Sequence, residues 1–305
     1  MNLKRYMLHL SYLGTRYRGS QKHANNLILD IDSIQGAIEA SLCKLKPLFN
    51  NTPKLVLAGR TDAGVHALNT VAHLDLDLKY EEFCTDTMIR MMNRYFSNCG
   101  HDIRIFSVQA VSSSFHARFS AISRTYVYRF IVPKDPQNHM IPISESFRAH
   151  YARIEKFDLS KVQEGIKLLN GTRDFTTFSS KKGRKTAPWR FDEAINEKNF
   201  IRTVRKLHIR LEEGQPLLAL DPLSAGFDYW NIVCHSKSFM YNQVRRMAAA
   251  LIGVGSGRLS INQLVNMLQV PSHNNWPGKV PPVPPFGLYL SNVEYDEASF
   301  EKINT

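Results

Sequence analysis

Apolar and polar residues alternate at the start of the chain. Tyr6, Leu8, Leu10 and Tyr12 stand at every second position, the period of a half-buried strand. A polar loop from Gly14 to Ile31 follows, and then the period changes. Ser33 is a suitable N-cap, and Ile34, Ala37, Ile38, Leu42 and Leu45 share one helical face until Pro47 ends it. Lys54 to Ala58 reads as a short buried strand and Gly59 to Ala67 as a loop. Ala72, Leu74, Leu76 and Leu78 mark one side of a strand from Val71 to Leu78. A helix over Thr85 to Phe96 and a strand over Ile103 to Val111 complete a β-α-β-loop-β-α-β order. That order predicts a ferredoxin-like α+β unit with a mainly antiparallel sheet.

A second set of elements follows. Arg124 to Val132 reads as a long strand and Leu159 to Leu169 as a helix closed by Gly171 at C′. Strands are expected over Ile201 to Leu211 and Asp228 to His235, and a helix over Tyr241 to Ile252. Ser260 and Gln263 form a capping box for a last helix that turns Leu264, Val265 and Leu268 inward. The Pro-rich stretch Pro281 to Pro285 precedes a strand at Leu288 to Val293. There is no fixed-period repeat, only a weak β-α echo between the halves. The pattern divides the chain into domains 1–112 and 113–305.

A length of 305 residues suits two packed domains, and 43% hydrophobic with 22% charged residues is ordinary for a globular protein. The net charge of +12 adds something the pattern does not show: it favours a polyanionic partner. Cys43, Cys84, Cys99 and Cys234 have neither disulfide-framework nor zinc spacing, which points to an intracellular setting. No apolar run reaches membrane-spanning length. The acid-free first 29 residues slightly resemble a transit peptide, but their alternation reads as the first strand. Cytoplasmic and mitochondrial addresses both stay open.

Candidate chemistry concentrates in Gly59-Arg60-Thr61-Asp62-Ala63-Gly64-Val65-His66-Ala67. An acid lies between two glycines on a loop leaving a buried strand, where a ligand can approach closely. A nearby arginine would keep it ionised, and an ionised carboxylate in a cleft can act as a nucleophile. On its own the pattern also describes an Asp-Gly turn with a local ion pair. A second signal is basic: Lys181, Lys182, Arg184, Lys185 and Arg190 surround Trp189, with Arg202, Arg205, Lys206 and Arg210 soon after. Such runs clamp phosphates, and the tryptophan could stack on a base. Arg16, Arg18, Lys22 and His23 form another candidate phosphate-contact loop.

The Asp62 stretch resembles the Gly-Arg-Thr-Asp-Ala-Gly-Val-His signature of TruA-type tRNA pseudouridine synthases. Further family motifs follow in order. Tyr12 to Gln21 is similar to Tyr-Asp-Gly-x-x-Tyr-x-Gly-Trp-Gln, and Ser33-Ile34-Gln35 to the family's Ser-Val-Gln. Phe115 to Ala121, then Arg124-Thr125-Tyr126-Val127-Tyr128, resemble Phe-His-Ala-Arg-Phe and Arg-x-Tyr-x-Tyr. Asp174 to Phe178, Phe239 to Arg246 and Pro285 to Leu290 complete the set. The chain is identified on these motifs as a short, eukaryotic-type TruA-like member. It departs from the pattern at Leu13, where aspartate is usual, at Ser20, where tryptophan is usual, and at Ala249, where a helix glycine is common.

The resemblance implies two ferredoxin-like halves with joined, mainly antiparallel sheets and a central basic RNA-binding cleft. It implies conversion of uridine to pseudouridine, usually in or near a tRNA anticodon stem-loop, with mRNA an open variant and no cofactor. Asp62 is implied as nucleophile, with Arg60 as its loop neighbour, Tyr126 as the ring stacked on uracil and Arg245 as charge partner. Leu288 is implied to pack on the base, and His66, Arg118, Arg16, Arg18, Lys181, Lys182, Arg184 and Lys185 to contact RNA. Monomer and homodimer both stay open. Two other readings remain: a catalytically silent RNA-binding or RNA-folding protein on this scaffold, and a glycosidase-like enzyme using Asp174 or Asp228 as a second acid.

Overall fold

The computed structural model describes residues 3–22, 30–44, 53–77, 84–180 and 203–300. The protein has an α+β fold and divides into two compact units, Met1–Arg124 with Tyr289–Thr305, and Thr125–Leu288. The division falls inside a strand, where the sequence reading placed it near residue 112. A strand near the C-terminus returns to the first unit, a long-range pairing that local periodicity cannot register.

The first unit runs β1 (Leu3–Tyr12), α1 (Ile34–Cys43), β2 (Val56–Leu57), β3 (His66–Asp77), α2 (Thr85–Asn98) and β4 (Ile103–Val111). Its strand order is β4-β1-β3, with β2 on β3, and each of these pairs is antiparallel. This is the ferredoxin-like arrangement. Tyr6, Leu8, Leu10 and Tyr12 are all buried, as their alternation predicts. Ser33 caps α1 by accepting the Gly36 N–H. Met88, Met92 and Phe96 are the buried face of α2, at the i, i+4, i+8 spacing of a helix lying on a sheet. β3 starts five residues before the expected Val71, because Tyr12 of β1 pairs with Ala67. The C-terminal strand β10 (Leu288–Tyr295) adds to the same end in parallel, with Tyr289 opposite His66.

The second unit contains most of β5 (Ala121–Pro133), then β6 (His150–Tyr151), α3 (Leu159–Leu169), β7 (Gly171–Asp174), β8 (Val204–Glu213), β9 (Phe227–Ser236), α4 (Gln243–Gly255) and α5 (Ile261–Gln269). Its strands lie in the order β5-β9-β8-β7, with β6 parallel to β5. Strands β5, β9 and β8 with helices α3 and α4 repeat the order of β1, β3 and β2 with α1 and α2, which is the echo seen in the sequence. Gly171 takes a positive φ of 92° after α3, as its C′ position requires. The capping box of α5 is formed by both reciprocal bonds. Leu264 is buried as expected, but its inward companion is Met267, while Val265 and Leu268 are part-exposed.

A buried ion pair braces the second unit. Glu145 is 0% exposed and takes both terminal nitrogens of Arg129, together with the Leu217 N–H at 2.8 Å. Arg129 also donates to the Gln215 carbonyl and lies over the Tyr229 ring. No disulfide joins the four cysteines, and burial pushes the Cys234 thiol up to about 12. Among the described residues no helix is long and apolar enough to cross a membrane.

Two histidines make the fold acid-sensitive. His73 on β3 accepts the Ala117 N–H at Nδ1, and burial, followed by repulsion from Arg5 and His116, brings its pKa down to about 4. Burial, then repulsion from Arg258, brings His150 to about 4 as well. Both folded pKa values lie below the unfolded value, so the unfolded chain binds more protons between these limits. Stability is therefore full above pH ~6.5 and lost as pH falls toward ~4, by at most about 1.4 kcal/mol per pH unit for each histidine. Thermal unfolding measured across pH 7 to 4.5 is expected to show a falling midpoint. A flat midpoint would contradict this account.

Candidate active site

The Asp62 loop connects β2 to β3 and is held by the first motif. Gly19 and Asp62 form an isolated antiparallel bridge. The Ser20 N–H donates to the Thr61 carbonyl at 3.0 Å. In return the Thr61 N–H donates to the Ser20 hydroxyl at 2.7 Å. Tyr12 and Thr61 share a buried hydroxyl bond of 2.8 Å. The Val65 N–H closes the turn on the Asp62 carbonyl at 3.2 Å. Asp62 itself is half-buried and Arg60 exposed.

Two glycines let the loops meet. A Cβ at Gly14 would lie 1.9 Å from the Val65 carbonyl oxygen, and Gly19 has φ +131°, so neither position accommodates a side chain. His66 is fully buried behind this contact. Its Nδ1 accepts the Gly14 N–H at 3.0 Å, and its ring lies 4.6 Å from that of Tyr289. It therefore braces the loop from behind. Arg16 and Arg18 are exposed, and each pairs with a carboxylate, Arg16 with Asp102 and Arg18 with the buried Asp30. Lys22 pairs with Glu39. Arg118 is exposed over the Phe119 ring, and its carbonyl is held by Arg124, whose same nitrogen also donates to Ala58 at the root of the Asp62 loop.

The second unit places Tyr126 on β5 with 9% exposure, its ring edge-on to Phe239 at 5.2 Å. Arg245, in the first turn of α4, donates to the Val283 carbonyl at 2.8 Å and to the Asn242 side chain at 3.1 Å. Asn242 reaches that position with a left-handed φ of 59°. Tyr128, fully buried, donates to the Pro284 carbonyl at 2.9 Å. Arg245 and Tyr128 thus fix the Pro-rich stretch that delivers Leu288, which is 7% exposed. Arg246, the next residue, is held differently. It donates to the carbonyls of Thr177 and Ser179 and lies 4.8 Å over Trp276, and burial lowers its pKa. Lys181, Lys182, Arg184, Lys185, Trp189, Arg190, Arg202 and His23 lie outside the described residues.

The structure thus brings Asp62 and His66 together with Gly14, Gly19 and Ser20 in the first unit, while Arg60 stands exposed two residues before Asp62. In the second it fixes Arg245 on the segment that leads to Leu288. Comparison with known proteins agrees with the motif order. A family model described as tRNA pseudouridine synthase matches residues 166–296. Over 294 residues the chain is 31% identical to a tRNA pseudouridine synthase-like 1 of Xenopus laevis, covering 96% of this chain and 91% of that one. The chain belongs to the tRNA pseudouridine synthase family. It is also 30% identical to tRNA pseudouridine synthase-like 1 of Mus musculus, covering 96% of this chain and 94% of that one. A bacterial relative, tRNA pseudouridine synthase A of Jannaschia sp. (strain CCS1), is 32% identical over 98% of this chain and 97% of its own.

Within this family frame the departure at Ser20 gains a physical meaning. Ser20 is 0% exposed and satisfies the Thr61 backbone one residue before Asp62. Ser20→Ala leaves that N–H buried without its acceptor, at a cost of about 1–3 kcal/mol. The expected result is a lower melting temperature and a reduced turnover, with Ser20→Thr recovering part of both. Calorimetry and a rate assay check it; an unaffected Ser20→Ala protein would remove Ser20 from the account.

Proposed function

We propose that the protein isomerises uridine to pseudouridine in tRNA, with the Asp62 carboxylate as its nucleophile. The observation that supports this most is the rigid Asp62 loop. Five motif residues around the acid, Gly14, Gly19, Ser20, Thr61 and His66, hold the backbone, and Asp62 is presented half-buried on the loop four residues before β3 begins.

The reaction asks for three things. The bond from ribose C1′ to uracil N1 must break, the detached uracil must be kept and turned, and a bond from C1′ to C5 must form with loss of the C5 proton. A carboxylate can add to C1′, stabilise departure of the base toward a glycal-like species, or add to the ring, and all three routes start from an ionised Asp62. Arg245 enters the proposal as the charge that keeps it ionised. Tyr126 supplies a flat face for the uracil and a phenol for proton transfer, and Leu288 an apolar contact. Arg60 supports the flipped-out nucleotide, which has to leave its stack to reach a protein carboxylate. Phosphate contacts come from Arg118, from Arg16 and Arg18, and from the basic run Lys181, Lys182, Arg184 and Lys185.

Pseudouridine mapping across all RNA, in cells with and without the protein, tests this reading and identifies the uridine. The expected result is loss of at least one tRNA pseudouridine when the protein is removed, restored by the wild-type chain and not by Asp62→Ala. An unchanged map, or equal restoration by Asp62→Ala, would overturn it.

A further inference from the structure

We propose that Phe119 is a stacking platform for a nucleobase beside the target uridine. Single exposed apolar residues are ordinary on protein surfaces. Phe119 differs in how much structure is spent on exposing it. The residue is 76% exposed, yet the turn that carries it is pinned at nearly every polar group. The N–H groups of Arg118 and Phe119 both donate to His116 Nδ1, at 3.2 and 3.3 Å. The His116 N–H donates to the Ser120 hydroxyl at 3.0 Å, and the Ser120 N–H to the His116 carbonyl at 2.9 Å. The Ala117 N–H goes to His73, and its carbonyl accepts the Tyr295 hydroxyl at 2.6 Å. The Arg118 carbonyl accepts from Arg124 at 3.0 Å.

The consequence is a ring held ready before any ligand arrives. His116 supports it at 4.3 Å between ring centroids, and the Arg118 guanidinium lies 5.7 Å from its centroid. An exposed aromatic ring with a cation over it offers a base a stacking surface and its phosphate a charge. Ordering a side chain on binding usually costs affinity, and here that cost is largely removed in advance. Position follows from Arg124. One of its nitrogens bridges the Arg118 carbonyl and the Ala58 carbonyl, four residues before Asp62 in the chain. The platform is therefore fixed to the root of the loop that carries the proposed nucleophile. A base stacked on Phe119 is a neighbour of the uridine that loop receives. The flat hydrocarbon face reads no base edge, so the subsite takes any base, with tolerance rather than sequence choice.

This inference rests on the tRNA reading above, and its test separates the two by measuring binding apart from turnover. The probe is an unmodified tRNA transcript titrated at several salt concentrations against wild type, Phe119→Ala, Phe119→Leu and Phe119→Trp, with melting temperature as a control. Loss of one base stack is expected to weaken binding by roughly 5- to 150-fold in Phe119→Ala. The slope of log affinity against log salt should stay at the wild-type value, since no phosphate contact is lost, whereas Arg118→Ala should make it shallower. Trp should restore affinity and Leu should not. Wild-type affinity in Phe119→Ala, or full affinity in Phe119→Leu, overturns the platform. Tight tRNA binding by wild type without pseudouridine formation would overturn the proposed function and leave the platform standing.

Discussion

Asp62→Asn should abolish turnover while leaving the fold intact. The bonds that shape the loop run through backbone groups and neighbours: the bridge to Gly19, the Val65 N–H on the Asp62 carbonyl, and the Ser20–Thr61 pair. An amide of the same size keeps all of them. It cannot act as an anionic nucleophile, and removing a nucleophile from an enzyme that depends on it lowers kcat by about 10⁴-fold or more. The melting temperature should change by no more than a surface substitution would, and tRNA affinity should stay within a few-fold of wild type. A kcat loss of tenfold or less would exclude covalent or electrostatic dependence on this carboxylate.

The second large effect is structural. Glu145→Ala should cost about 3–5 kcal/mol, because it leaves the Arg129 guanidinium buried without its carboxylate. Glu145 is wholly enclosed, and it also takes the Leu217 N–H, so the loss orphans a backbone donor too. At roughly 2–4 °C per kcal/mol, the melting temperature should fall by about 6–20 °C. The pair sits in the second unit, away from the Asp62 loop in the chain, so the variant should keep wild-type turnover per folded molecule at low temperature. Replacing Arg129 and Glu145 together by apolar residues should recover part of the loss, limited by the Gln215 carbonyl that Arg129 serves and the Leu217 N–H that Glu145 serves. A Glu145→Ala protein melting within about 2 °C of wild type would show that this pair braces nothing.

What the sequence made legible follows from how each feature is encoded. Local periodicity and caps were readable: the β1 alternation, the Ser33 cap, helix Leu159–Leu169 with its C′ glycine, and the Ser260 capping box all stand as expected. Features made by residues far apart were not. The early start of β3 depends on Tyr12 and Tyr289, and the return of β10 to the first unit is a pairing across more than half the chain. Arg129 and Glu145 carry no motif between them. Nothing in the sequence marks Arg246 as a strut; the packing of Thr177, Ser179 and Trp276 around it does.

The loop itself was legible in part. Asp62 was singled out because glycines and an arginine flank it, but the residues that hold it, Tyr12, Ser20 and His66, sit in two separate motifs. Ser20 stood out in the sequence only as a departure from the family pattern. Its hydroxyl on the Thr61 N–H gives the departure a local reason. His66 was expected to face RNA, and its burial against Gly14 and Tyr289 gives it a supporting position. Arg16 and Arg18 stand in the sequence as candidate RNA contacts, and a sequence cannot show that Asp102 and Asp30 fold onto them.

The most direct test of the central claim follows the C5 proton. Formation of pseudouridine replaces the uracil C5–H by a bond to ribose, so tRNA transcribed with uridine tritiated at C5 releases tritium to water as the reaction proceeds. Wild-type protein should release tritium in proportion to time and enzyme, and Asp62→Asn should release none above background while still binding the same tRNA. No release by the wild-type protein, or equal release by both, would contradict the account.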